Sequence, residues 1–217
     1  MESYLQNQLL ALLEERFEVL STHHLTAPSW EIVSKGKYAS EAINVYKELG
    51  GQLNVPSIKL PQDSFILLKH DFVVFLDEVL HFNRYRAQTL RSEVYAALPH
   101  IPADLYKTYS RKNEKECLKS GLAGKLWTFP FAEKHFGTAS EKGDFAKNGA
   151  PSWKLRALED FLLDVSLLTQ GVKVLRMAVY QQLMLNRQLH KIGDILVSGR
   201  ETERTALLNY IERKVSS

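Results

Sequence analysis

Hydrophobic positions fall at helical spacing over residues 3–20, where Leu5, Leu9, Leu12, Leu13, Phe17 and Leu20 recur with Glu14, Glu15 and Glu18 between them; this spacing predicts an amphipathic helix. Residues 22–37 are less regular, with Pro28 and Gly36 as breakers. Ser40 then marks the start of a helix that Gly50-Gly51 ends. The period changes next. Residues 64–69 and 72–76 are short apolar runs separated by His70-Asp71, which predicts two strands joined by a tight turn. The second run is apolar on consecutive positions, so both of its faces should be covered. From Asn83 the spacing is helical again, with Tyr85, Leu90 and Val94 on one side and Arg84, Arg86 and Arg91 elsewhere. Residues 103–120 predict a further helix, and 136–152 form a long small-and-polar passage of the kind that is usually functional or disordered. A strong helical pattern follows over 153–169. Gly171 caps it, 172–177 predicts a third strand, and helices are expected over 178–190 and 201–213. The order predicts an α/β fold, a small mixed β-sheet surrounded by helices and helix-rich overall.

Composition narrows this picture. The 217 residues are 45% hydrophobic and 24% charged, as expected of one globular domain. The one cysteine, Cys117, excludes an intramolecular disulfide framework or a Cys-rich zinc site and suits a reducing compartment. No stretch approaches the ~18 apolar residues of a membrane span. The first residues carry acids where a signal peptide has its basic region. These features predict a cytoplasmic chain that does not associate with membranes.

Charge distribution adds more than the net +3. Residues 1–83 hold 6 Lys+Arg against 11 Asp+Glu, residues 84–125 hold 9 against 4, and residues 126–217 hold 13 against 10. An acidic first third therefore runs directly into a basic stretch, which can place carboxylates beside a phosphate-binding surface. The residues at that boundary are Asp63, before the first strand, and Asp77-Glu78, where the second apolar run gives way to acids. If the strands pair, Asp63 and Asp77 meet at the open end of the hairpin. Carboxylates there can hold Mg²⁺ or Mn²⁺ through oxygen ligands, which makes Asp63, Asp77 and Glu78 the candidate ligands. His81 is then the candidate proton acceptor, and Arg84, Arg86 and Arg91 are the candidate phosphate contacts.

These residues carry a resemblance. The order Asp63, hairpin, apolar strand, Asp77-Glu78-x-x-His81, basic helix, the later Glu159-Asp160 helix, and Gly171-Val-Lys-Val-Leu-Arg176 resembles the PD-(D/E)XK restriction-endonuclease-like superfamily, nearest to its very-short-patch-repair-like branch. The resemblance covers about residues 60–95 and 153–180. It implies one nuclease-like domain over 1–217 with 96–152 inserted in its core, DNA as partner, and a role in defence or repair. A homodimer or a protein partner is compatible with it. Phe75 stands where the family carries Glu, Glu78 where it carries Gly, and no lysine completes an acid-x-Lys triplet. Two expectations follow: a metal-dependent endonuclease hydrolysing DNA phosphodiesters, or a catalytically inactive nuclease-fold protein that binds nucleic acid or a partner protein. Elsewhere, Gly121-Leu-Ala-Gly-Lys125 is too short for a phosphate loop, and Trp127, Phe129, Phe131 and Phe136 read as packing or as a base-stacking surface.

Overall fold

A computed structural model describes residues 4–61 and 64–216. In chain order the regular elements are α1 (Tyr4–Glu14), β1 (Val19–Leu20), α2 (Trp30–Lys35), α3 (Ala39–Glu48), β2 (Ile66–Leu68), β3 (Phe72–Asp77), α4 (Arg84–Thr89), α5 (Ala103–Gly121), α6 (Pro130–Phe136), α7 (Pro151–Thr169), β4 (Lys173–Ala178), β5 (Gln182–Leu185), β6 (Gln188–Lys191), α8 (Ile192–Ser198) and α9 (Glu201–Val215). The fold is mixed α/β, with a small mixed sheet among helices, as the hydrophobic pattern predicts. The chain forms two compact units. The first takes the described parts of Met1–Ala27, Gln62–Glu78 and Gly171–Ser217, and the second takes Pro28–Pro61 and Val79–Gln170.

The first unit holds a four-stranded sheet in the order β1-β2-β3-β4. β2 and β3 pair antiparallel, Ile66 opposite Val74, across a turn in which His70 and Asp71 are both left-handed (φ 64° and 54°). Two such residues give the twist that joins adjacent antiparallel strands. β3 pairs in parallel with β4, Phe72 opposite Lys173 through Asp77 opposite Ala178. Alternation then sorts the side chains. Ile66, Leu68, Phe72, Val74, Leu175 and Met177 share a core with Leu9, Leu12 and Leu13 of α1, Ile192 and Ile195 of α8, and Leu207 and Ile211 of α9. The opposite positions bring Phe65 against Phe75 (5.5 Å between ring centres) and the Arg176 guanidinium over the Phe75 ring at 4.0 Å. Both faces of β3 are thus buried, as its consecutive apolar residues predict.

Two expectations fail in this unit. The helix predicted over 3–20 stops at Glu14, and Val19–Leu20 instead adds an edge strand to β2, with Val19 opposite Leu68. Phe17 still packs on the core, which is why the helical spacing seemed to continue. The helix predicted over 178–190 is a hairpin, β5 against β6. Its Leu-Met-Leu run reads as helical, but Leu183 and Leu185 turn inward while Met184 is 64% exposed, a period of two. The turn is Asn186-Arg187, both left-handed at φ 48° and 66°.

The second unit is organised by α7. Its 19 residues are buried along nearly their whole length, and it packs against α2, α3, α4 and α6. Asn83 caps α4, its Oδ1 accepting from the Tyr85 and Arg86 amides at 3.0 and 3.2 Å. Residues 96–152, expected as an insertion, lie wholly in this unit. Its polar passage is tied down rather than loose. Ser140 N donates to Gly149 O (3.0 Å), Asn148 Nδ2 donates to the Phe136 and Thr138 carbonyls (2.9 and 2.7 Å), and Lys154 Nζ donates to Asn148 Oδ1 (2.7 Å). Phe145 from this loop packs against Trp127 and Trp153 at 5.4 and 5.5 Å. Trp127 and Phe136 belong to the core, whereas Phe131 is 40% exposed.

The Asn186-Arg187 turn yields a test. A non-glycine left-handed residue carries a steric penalty that glycine lacks, so Arg187→Gly should stabilise the chain by about 0.5–1 kcal/mol in urea unfolding. A loss of stability would contradict this description of the hairpin.

Candidate functional site

Helix α7 carries charge where a buried helix is normally apolar. Asp160 and Asp164 lie four residues apart, on one face, and are 5% and 0% exposed. A buried carboxylate is tolerated only when it is paired and hydrogen-bonded, and here α4 supplies the partner. Arg86, 1% exposed, donates from Nη2 to Asp164 Oδ2 at 3.1 Å and from Nη1 to the Tyr95 hydroxyl at 2.7 Å. Tyr95 donates its proton to the same Asp164 oxygen at 3.0 Å. Arg86 Nε lies 3.8 Å from Asp160 Oδ2. That oxygen also accepts from His81 Nδ1 at 2.8 Å. Because an ionised carboxylate only accepts, Nδ1 is the donor in this contact, which orients the ring with Nε2 as its other nitrogen.

Beside this network lies a cavity of about 180 Å³. Leu80, Leu126, Phe129, Trp153 and Leu155 form its apolar wall. Its polar part is Lys125, Ser152, Arg156 and Glu159. Burial pushes the Glu159 carboxyl up to about 7, the negative charge of Asp160 adds to the shift, and Arg156 and His81 oppose it. A carboxyl poised near neutral in the wall of a cavity is a mark of functional sites. Cys117 is a contrasting case. Its burial pushes the thiol up to about 12, so it is a packing residue and not a nucleophile.

The residues expected from the sequence are distributed unevenly. Asp63 lies outside the described residues. Asp77 ends β3 in the first unit, 2% exposed, with its Oδ1 accepting from Arg176 Nη1 at 2.8 Å. Glu78 follows it, half-buried, beyond the strand. His81 closes a short 3₁₀ turn, Val79–His81, in the second unit and reaches Asp160. Arg84 forms a bidentate pair with Glu114, both contacts at 2.8 Å, and stacks over Phe145 at 3.8 Å. That hydrogen bonding holds the Arg84 pKa above its ordinary value. Arg86 requires a correction: it faces α7 rather than solvent, because the third residue of the short helix α4 meets Asp164. Arg91 is exposed.

Asp164, Tyr95, Arg156 and Ser152 are not evident as site residues in the sequence, and Lys125 stands there only in a stretch too short for a phosphate loop. A signal was present, since Arg156, Asp160 and Asp164 recur every four residues within a mostly apolar helix.

The network and the cavity both fall inside a recognisable family region. Residues 44–198 match DUF7255, described as a family of unknown function. The chain belongs to DUF7255. No curated protein and no solved structure matches it. The DUF7255 region includes His81, Arg86, Asp160, Asp164 and the residues lining the cavity, as well as Asp77 and Arg176.

Glu159 makes the electrostatics measurable. Its folded pKa, about 7, lies above the ordinary 4.5. The stability it contributes is therefore fully present below 4.5 and lost as pH rises through 7, a swing of about 3 kcal/mol. In Glu159→Gln that loss should vanish, so between pH 5 and pH 8.5 urea unfolding should give a flatter stability profile than wild type. Parallel profiles would contradict the burial of this carboxyl.

Proposed function

We propose that this DUF7255 chain is a metal-dependent hydrolase of nucleic-acid phosphodiesters whose reacting centre is the α7 cluster of the second unit. The observation that carries the reading is the poised Glu159 carboxyl beside the His81–Asp160 pair, at a cavity that also presents Lys125 and Arg156. The resemblance to restriction-endonuclease-like proteins supports the reaction class, though not this position of the reacting centre. The antiparallel β2–β3 hairpin, the later helix, Gly171 and the closing strand occur in the implied chain order, and β4 runs parallel to β3.

The Mg²⁺ or Mn²⁺ ion implied by the resemblance would be held through Asp160, an acid placed to share an ion. Glu159 is raised partly because Asp160 repels its charged form, and a cation at Asp160 would relieve that repulsion. Such an ion, when bound, would supply Lewis-acid polarisation of the phosphate. The chain's own groups do the rest. Lys125 and Arg156 hold phosphate oxygens, and Asp160 fixes the His81 ring. His81 Nε2 accepts the proton of the attacking water as its oxygen bonds to phosphorus and the ester oxygen departs. This reading centres the ion on Asp160 rather than on Asp63 and Glu78.

A second reading has its own observation. Arg84 is taken up by Glu114 and Arg86 by Asp164, so much of the charge expected to meet phosphate is neutralised within the fold. A non-catalytic protein that binds nucleic acid or another protein would look the same at these positions.

The assay is cleavage of single-stranded and duplex DNA with Mn²⁺ or Mg²⁺. Wild type should cleave, and His81→Ala, with unchanged circular dichroism, should lose about 10²-fold or more in rate. Undiminished cleavage by His81→Ala contradicts the site. No cleavage by wild type with either ion contradicts the hydrolase reading and leaves the non-catalytic one.

A further inference from the structure

The α7 cavity has a size and an apolar wall that the hydrolytic reading does not use. An apolar cavity of about 150 Å³ in another protein takes up a benzene molecule. At about 180 Å³, this one has room for a single six-membered ring and its substituents. Its walls are aromatic and aliphatic, with Trp153 and Phe129 among them. The Trp153 indole is fixed in position because Gly121 leaves room for it. A Cβ at residue 121 would lie 2.7 Å from Trp153 Cζ2. Phe145 supports the indole at 5.5 Å and Trp127 at 5.7 Å, so the wall is preorganised.

The polar part is equally particular. Ser152 Oγ donates to the Lys125 carbonyl at 2.9 Å, which leaves its lone pairs turned to accept. Lys125 is exposed and Arg156 half-buried. Together they offer a point charge and a planar fork, the pairing suited to phosphate.

We infer that this cavity is a binding pocket for one pyrimidine nucleotide unit, its ring between the apolar walls with an edge on Ser152 and its phosphate on Lys125 and Arg156. Single-stranded nucleic acid is recognised in this manner, by bases stacked on aromatic side chains beside cations. The inference deepens the hydrolase reading by naming its substrate class, an unstacked pyrimidine. Binding can nonetheless be measured without cleavage.

The experiment titrates CMP, UMP, AMP, GMP, benzoate and inorganic phosphate separately into the full chain in EDTA. The readouts are calorimetry and the Trp153 indole ¹H–¹⁵N signal. CMP and UMP should bind saturably below about 1 mM and shift that signal, roughly tenfold more tightly than AMP or GMP. Lys125→Ala should weaken them. Ser152→Phe, which fills the cavity from a half-exposed position, should abolish the shift while the melting temperature holds. Equal binding of purine and pyrimidine nucleotides overturns the single-ring pocket. Binding of benzoate with CMP and UMP silent overturns the nucleotide source, and phosphate binding as tightly as CMP overturns the role of the ring. No saturable binding by any nucleotide overturns the inference whether or not DNA is cleaved. A chain that binds CMP yet cleaves nothing keeps the pocket and loses the hydrolase.

Discussion

The second unit depends on a cation held inside it. Arg86 sits 1% exposed with Asp164 at 3.1 Å and Asp160 at 3.8 Å, and neither acid has substantial access to solvent. Desolvating such groups costs several kcal/mol per ion, and only close geometry with further hydrogen bonds offsets it. Tyr95 and Thr89 contribute those bonds, through the tyrosine hydroxyl at 2.7 Å and the threonine Oγ1 at 3.4 Å from Arg86 Nη1. The pair therefore fixes how α4 meets α7. Once α4 is fixed, the Asn83 cap and the 3₁₀ turn before it hold His81 against Asp160. Every feature of the candidate site on that side follows from one buried arginine.

Hydrophobic patterning made much of the fold legible. The β2–β3 hairpin is evident from its two apolar runs and the His70-Asp71 break, β4 from Gly171 (φ +77°) and the run that follows it, and α7 from its unbroken apolar stripe. Hidden elements share a cause: their defining residues are locally ambiguous. Asn186-Arg187 closes a hairpin without glycine, so nothing in the sequence breaks the apparent helix across it. Val19–Leu20 is too short a strand to show a period, and it forms because β2 offers it an edge.

The site was less legible, for a different physical reason. A charge boundary between residues 83 and 84 suggests arginines facing a ligand, but pairing partners far along the chain are invisible to composition. Arg84 meets Glu114, 30 residues on, and Arg86 meets Asp164, 78 residues on. Helix α4 is only six residues long, too short for hydrophobic spacing to reveal that its third residue points inward. His81 was legible because it follows an abrupt end to an apolar strand. Its partner Asp160 was visible only as an acid in a helix. The basic stretch is thus partly a set of internal counter-charges, while Lys125 and Arg91 remain at the surface.

A double-mutant cycle on Arg86 and Asp164 tests the central dependence most directly. With Arg86→Met and Asp164→Leu, each single variant removes one partner of the buried pair and should lose about 3–5 kcal/mol in urea unfolding. The double variant leaves of this group only Asp160, which keeps its His81 contact, so it should be more stable than the sum of the two losses predicts, by about 2 kcal/mol or more. Losses that simply add would show that the two side chains do not depend on each other, and that the second unit is held together without them.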